Sequence, residues 1–411
     1  MMVMRDITIL NRKNVAVAVG LALSAITGGM PAAAHAAPAL KNSSQSTDHG
    51  GVIYVMTNDD TANVIEVFVR RPSGELRNVP QASVRTGGMG AASNAAIDPL
   101  GSQGSLVFSE EHDMLFGVNA GDNTVFAFKT RDMPNRIVRG HLRPVRTAVV
   151  PSGGDLPVSV AVSGDKLYVL NAGGEGMVTT FEITASGGLN MLTSVSLGLS
   201  NATEVPFDNV MAPGQVGVDA LARRLLVANA SGQELLSFTL DSDGLPDGEL
   251  TSTPTSGVVP FSFDTTPFGN ILVTEAGSGA VSAFDSPVGY PLVETTASVT
   301  NGQAATCWIV AADNGYAYVS NTLSDTISLY SYQRNGELAL VDATAATVSV
   351  GGAPIDMTLA GAGNFLLTLD AGTGEISSFR VDHTTGALER VDVEAGLPAG
   401  AGIQGIAAND F

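Results

Sequence analysis

Apolar runs of four to six residues recur along the chain, and seven of them end in the same way. Each closes on a polar residue, and a second apolar run then closes on an aromatic nine or ten residues later. The pairs are Asn58/Phe68, Asn119/Phe128, Asn171/Phe181, Asn229/Phe238, Glu275/Phe284, Asn321/Tyr330 and Asp370/Phe379. The polar positions recur every 46 to 61 residues, a period that marks blades set around an axis. Within a unit, a short apolar strand such as PVSVAV (157–162) or PFSFD (260–264) comes first. A turn leads to the second strand, which ends at the polar residue. An alternating third strand such as TVFAF (124–128) and a fourth such as LALVD (338–342) follow. Strands this short, joined by tight turns, predict antiparallel sheet. Apolar inner strands fit burial on both faces, and alternating outer strands fit contact with water. The recurrent aromatic is expected to pack between blades. The predicted fold is all-β: a seven-bladed β-propeller of four-stranded antiparallel blades over residues 51–411.

The ends of the pattern are complementary. The first unit opens at Gly51 with a second-type strand, GVIYVMTN, and has no first strand. The C-terminal GIQGIAAND has the look of a first strand with nothing behind it. Residues 403–408 are therefore expected beside residues 52–57, where they complete the first blade, close the ring and remove an open edge.

Length alone would allow two or three domains, but seven units of about 50 residues are expected to use up nearly all of the 411-residue chain after the N-terminus. A net charge of −20 argues against nucleic-acid and anionic-membrane partners, which need clustered cations. Arg131, Arg136, Arg139, Arg143 and Arg146 form one local exception, read first as a charged edge strand that resists pairing with another sheet, with an anion or partner site as the alternative. The single cysteine, Cys307, rules out an intramolecular disulfide and is read as a small buried hydrophobe beside Trp308. Residues 1–36 read as an export signal: Arg5, Arg12 and Lys13 precede the apolar run VAVAVGLALSAITGG and the small-x-small site Ala34-His35-Ala36. Residues 37–50 read as a disordered polar leader. The expected product is a secreted or periplasmic monomer with no membrane anchor.

The YVxN and NAG strings, the GxL turns and the seven units resemble the YVTN/lactonase-like seven-bladed propellers. Within that group the chain is similar to bacterial 3-carboxymuconate cyclase and 6-phosphogluconolactonase relatives. The resemblance covers residues 51–411 and implies opening or closing of a lactone of a small organic acid. It also implies a Pro-Arg-His string at the start of a first strand and a Glu at the end of the next. The matching place here reads Pro260-Phe261-Ser262, with Glu275 at the following strand end.

In a propeller, first strands begin and second strands end at one face, so two rings of polar residues should meet at a channel mouth. The ends of the second strands supply Asn58, Asn119, Asn171, Asn229, Glu275, Asn321 and Asp370. The starts of the first strands supply Gln103, Ser159, Gln215, Ser262, Cys307, Asp356 and Gln404. An Asn at a strand end bonds neighbouring backbone, so the regular members read first as a structural device. The positions that break the pattern, Glu275, Asp356 and Asp370, are the candidate catalytic acids or bases. Gln103, Asn119, Asn171, Gln215, Asn229, Ser262, Asn321 and Gln404 are the candidate ligand contacts. Oxygen donors in that setting also suit a Ca²⁺-like divalent cation. Two functions remain open: an exported lactone-processing enzyme, and a non-catalytic propeller that binds a small molecule or a protein.

Overall fold

The computed structural model describes residues 48–91, 97–130, 142–201 and 212–411. The proposed signal, most of the leader, and Arg131, Arg136 and Arg139 lie outside these residues. Arg146 lies on the outermost strand of the second blade, Val145–Pro151.

Seven antiparallel sheets follow one another along the chain. The fourth blade shows the order: Pro213–Asp219 innermost, then Arg224–Asn229, Glu234–Thr239 and Thr251–Pro254 at the rim. The other innermost strands are Leu106–Ser109, Pro157–Ser163, Pro260–Thr265, Thr306–Ala312, Pro354–Ala360 and, for the first blade, Ile406–Asp410. Among the described residues, helix is confined to short 3-10 turns such as Pro80–Ala82 and Thr322–Ser324. No helix among the described residues is long and apolar enough to cross a membrane.

Second strands are buried along almost their whole length, as in Met114–Asn119 and Phe365–Asp370, because neighbouring blades cover both of their faces. Outermost strands alternate, as in Val293–Thr300, because one face meets water. The seven aromatics of the repeat are all fully buried, none more than 2% exposed. In register each stands opposite an apolar residue at the start of the second strand: Ile53↔Phe68, Leu225↔Phe238, Leu366↔Phe379. The polar residue and the aromatic thus mark opposite ends of a blade.

The ring closes as the sequence pattern predicts. Ile406–Asp410 pairs antiparallel with Gly51–Val55, making the C-terminus the innermost strand of the first blade. The regular strand begins at Ile406 rather than at 403, because Gly405 takes a left-handed conformation (φ 99°) that breaks the extended path. Hydrogen bonding nevertheless continues through Gln404 N–H to Met56 O (3.1 Å) and Met56 N–H to Gly405 O (3.0 Å).

A buried cation locks this closure. The Arg70 guanidinium, fully buried, donates to both oxygens of Asp48 (2.6 and 2.9 Å) and to Asp410 Oδ1 (2.8 Å), and it stacks 5.0 Å from the Phe365 ring. Asp410 Oδ2 accepts from Gly361 N–H (2.6 Å), so a single cluster ties the first blade, the last blade and the C-terminal strand together. Removing one member of such a cluster strands the others without partners, at a cost of about 3–5 kcal/mol. Arg70→Met should therefore destabilise the fold by about that much. A chain ending near Pro398 should lose cooperative thermal unfolding altogether. Calorimetry showing a single sharp transition in the shortened chain would refute the closure role.

Candidate functional site

The two predicted polar rings do converge at one face, but they are oriented differently. The second-strand residues bond outward, to third strands and to the connectors that arrive from preceding blades. Asn321 accepts from Asn301 Nδ2 (3.0 Å) and Thr306 Oγ1 (2.8 Å) and donates to Thr326 and Ser328 on the third strand. Asn119 accepts from Asn63 and Thr86 and donates to Thr124 Oγ1. Asn229 donates to Glu234 Oε1 (2.8 Å), and Asn171 donates to Ser152 O and Thr179 Oγ1. Asn119, Asn171 and Asn321 thereby pin the connector from the preceding rim strand onto the blade, whereas Asn229 bonds within its own blade. All seven are buried, at most 1% exposed.

Glu275 fits the same frame. Its carboxylate accepts from Gly257 N–H (3.0 Å) and from the Ser298 hydroxyl on the outermost strand. The carboxylate occupies the space that a side chain at residue 257 would fill, so glycine there accommodates a Glu where other blades carry Asn. Asp370 accepts from Thr368 Oγ1 (2.8 Å) and from Ser377 Oγ on the third strand (2.5 Å). Burial raises its carboxyl to a pKa of about 7, against the pull of those two hydroxyls.

The inner ring faces the axis, and its members clamp each blade to the next. Ser159 Oγ accepts from Val216 N–H (3.2 Å), linking blades three and four. Gln215 Oε1 accepts from Phe263 N–H (2.7 Å), linking four and five. Ser262 Oγ donates to Cys307 O (2.5 Å), linking five and six. Between six and seven the link comes instead from the end of a second strand, where Thr322 Oγ1 donates to Pro354 O (3.0 Å). Asp356 Oδ2 accepts from Ile406 N–H (3.2 Å), linking seven and one. Innermost strands have no neighbour on their axial side, so their backbone groups there would otherwise lack partners.

Residues 98–104 complete the clamp by crossing the axis. Gln404 donates to Ser102 O (2.8 Å) and accepts from Leu100 N–H. Ser102 Oγ reaches Val158 O in blade three (2.8 Å), and Gln103 N–H reaches Gly214 O in blade four (3.1 Å). The Gln103 amide pairs with Ile309 of blade six through both its N–H and its C=O (3.0 Å each). Trp308 Nε1 donates to Ser102 O (2.9 Å), and the Phe261 ring packs edge-on against Trp308 at 4.8 Å. The mouth is thus filled by a backbone plug, a Phe–Trp pair and amide bridges. The longest gap in the repeat, 61 residues between Asn58 and Asn119, marks the insertion that forms the plug. Nothing in its composition discloses that it enters the axis.

Carboxylates remain at this face. Asp356 sits in a bulge of its strand with a left-handed backbone (φ 55°) and accepts from Met357 N–H (2.9 Å). Burial lifts its pKa to about 7, the Met357 and Ile406 N–H groups oppose that, and the nearby Asp98 carboxylate adds to it. Asp98, not singled out by the repeat, is likewise raised to about 7 by burial despite the Gly101 N–H it accepts. Farther along the axis, burial raises Asp264 to about 6. Burial also pushes the Cys307 thiol well up, away from a reactive thiolate. Among the described residues, no three His, Cys, Asp or Glu side chains are grouped to hold a metal ion.

This architecture defines a seven-bladed propeller closed by its C-terminal strand. The chain belongs to the lactonase family of seven-bladed β-propellers, whose model matches residues 78–403. Among solved structures it is similar to a putative 6-phosphogluconolactonase from Bacteroides fragilis (17% identity, 90% of this chain and 100% of that one, TM-score 0.67). It is similar to a second from Bacteroides uniformis (18%, 88% and 100%, 0.66). It is also similar to the periplasmic gluconolactonase of Pseudomonas aeruginosa (17%, 85% and 97%, 0.65). At these identities the likeness establishes the fold alone. No curated protein matches the sequence.

The raised carboxyls make stability depend on pH. An Asp near pKa 7 in the fold and near 3.8 when unfolded holds a proton that the unfolded chain has already released. Its contribution therefore falls as pH rises from about 4 to about 7 and levels off above that. Asp48 works in the opposite direction. Burial raises it, but Arg70 and Gly50 N–H override that and hold it below its ordinary value, so its contribution is lost below about pH 4. The melting temperature should be higher at pH 5 than at pH 8, and the difference should shrink in Asp370→Asn. A melting temperature that climbs steadily from pH 5 to pH 8 would contradict the assignment.

Proposed function

We propose that this protein is an exported lactonase-family propeller that works as a rigid binding scaffold rather than by turnover at its axial mouth. One observation carries the reading. Where the resemblance implies an Arg–His pair for a lactone carboxylate, Phe261 packs on Trp308 and Ser262 bonds Cys307 O, and the residue 98–104 plug is bonded across the same space. Lactone chemistry needs a base or acid near the ring oxygen and a donor set for developing negative charge. The buried Asn and carboxylate side chains of the outer ring spend most of their hydrogen bonds within the blades and their connectors, Asn171 Oδ1 being an exception. Rigid rings of this kind present their loops to small-molecule or protein partners. Export rests on the charged start, apolar run and Ala34-His35-Ala36 site.

A second reading has its own observation. Asp98 and Asp356 are neighbouring carboxyls with pKa values near 7, a range suited to proton transfer. In that reading they would serve lactone hydrolysis at the rim of the plug.

Purified mature protein assayed against a panel of phosphorylated and neutral sugar lactones should give no rate above the uncatalysed one. Turnover that survives in Glu275→Gln but is lost in a folded Asp356→Asn variant would overturn the scaffold reading in favour of hydrolysis. Mass spectrometry of the protein recovered from outside the cytoplasm should find a chain that begins at Ala37. Recovery only of an uncleaved cytoplasmic form would refute export.

A further inference from the structure

At the face opposite the plug, a cleft of about 500 Å³ opens between blades three and four. That volume lies within the roughly 300–1,000 Å³ of small-molecule sites. One wall is the turn Ser163–Lys166 with Tyr168, and the other is Arg223 with the loop Asp241–Gly244.

The charges in the cleft are unevenly paired. Lys166 Nζ is held by Asp165 Oδ1 at 2.5 Å, so that wall is neutral. The Tyr168 hydroxyl is anchored on Gly244 O (2.7 Å). Asp241 Oδ1 accepts from Asp243 N–H and Leu245 N–H (2.8 Å each), which fixes the loop. Among the described residues, Asp241 Oδ2, the Asp243 carboxylate and the Arg223 guanidinium have no partner in the protein. Among the described residues, this cation and these carboxylates therefore line the same cleft without pairing with one another.

Arg223 sits in the exposed turn between the first and second strands of blade four with a left-handed backbone (φ 53°), as Ala362 does in the corresponding turn of blade seven and Gln233 does in another turn of blade four.

We propose that this cleft binds a zwitterionic amine–carboxylate ligand of amino-acid to dipeptide size. The Arg223 guanidinium takes the carboxylate through its paired N–H donors, and Asp241 Oδ2 with Asp243 takes the ammonium. A simple anion would meet three carboxylates in the cleft and a protein of charge −20, whereas a zwitterion meets neither penalty. The site lies at the other end of the blades from the plug and stands whether or not the axial mouth turns over a lactone.

Titration calorimetry of the mature protein with alanine and with alanyl-alanine tests this, alongside N-acetyl-alanyl-alanine, alanyl-alanine amide and glucose. Saturable binding is expected only for the forms with both ends free. Arg223→Gly should weaken that binding at least tenfold without lowering the melting temperature, because glycine relieves the backbone. Asp243→Asn should weaken it by a similar factor. The proposal is overturned if neither free form binds, if the blocked forms or glucose bind as well, or if the two variants bind like the parent. A fall in melting temperature in Arg223→Gly would show a structural role for that side chain and overturn its assignment.

Discussion

The open axial edge of each innermost strand is the constraint on which the structure depends. Seven sheets set around an axis leave seven rows of backbone N–H and C=O groups facing inward, where no further strand can pair with them. Those groups are satisfied by side chains reaching from the preceding blade and by a stretch of backbone laid across the axis. Ser159, Gln215, Ser262 and Asp356 each bond the backbone of the next blade. Gln103 and Gln404 bind the plug into the same network. A buried donor or acceptor without a partner costs about 1–3 kcal/mol, so polar residues at these positions follow from the architecture alone.

This explains why polarity near the axis is a poor guide to chemistry in this chain. A Gln beside a channel mouth looks like a ligand contact in sequence, and in the fold it is a bridge between backbones. Glu275 and Asp370 break the Asn pattern, yet they occupy the same slot and bond the same kind of partner: a hydroxyl on an outer strand and a nearby backbone or side-chain donor. What distinguishes a position is whether its hydrogen bonds are already used. By that measure the mouth is largely occupied, Asn171 Oδ1 being an exception, and the groups at Arg223, Asp241 and Asp243 that have no partner among the described residues lie at the other end of the blades.

Much of the architecture was legible in the sequence. The polar–aromatic pairs located the second and third strands of all seven blades. The missing first strand at Gly51, together with the unpaired strand near the C-terminus, foretold closure. These features are legible because alternation and turn residues act over a few neighbours. The start of the closing strand shifted by a few residues because Gly405 adopts a conformation that spacing does not reveal. The Arg70 cluster, the residue 98–104 plug and the role of Trp308 were not foreseen. Each joins groups tens to hundreds of residues apart, as in Trp308 with Ser102 and Arg70 with Asp410.

The sequence by itself determined that this chain is a ring of seven antiparallel blades closed by its own C-terminus, because local periodicity repeated seven times admits little else. Only the tertiary structure decided what the polar residues do, because a side chain's chemistry depends on which partners surround it. Asn, Gln, Ser and Asp carry the same donors and acceptors wherever they occur. Their burial and pairing in the folded ring are what turn one set into clamps and leave another free to meet a ligand.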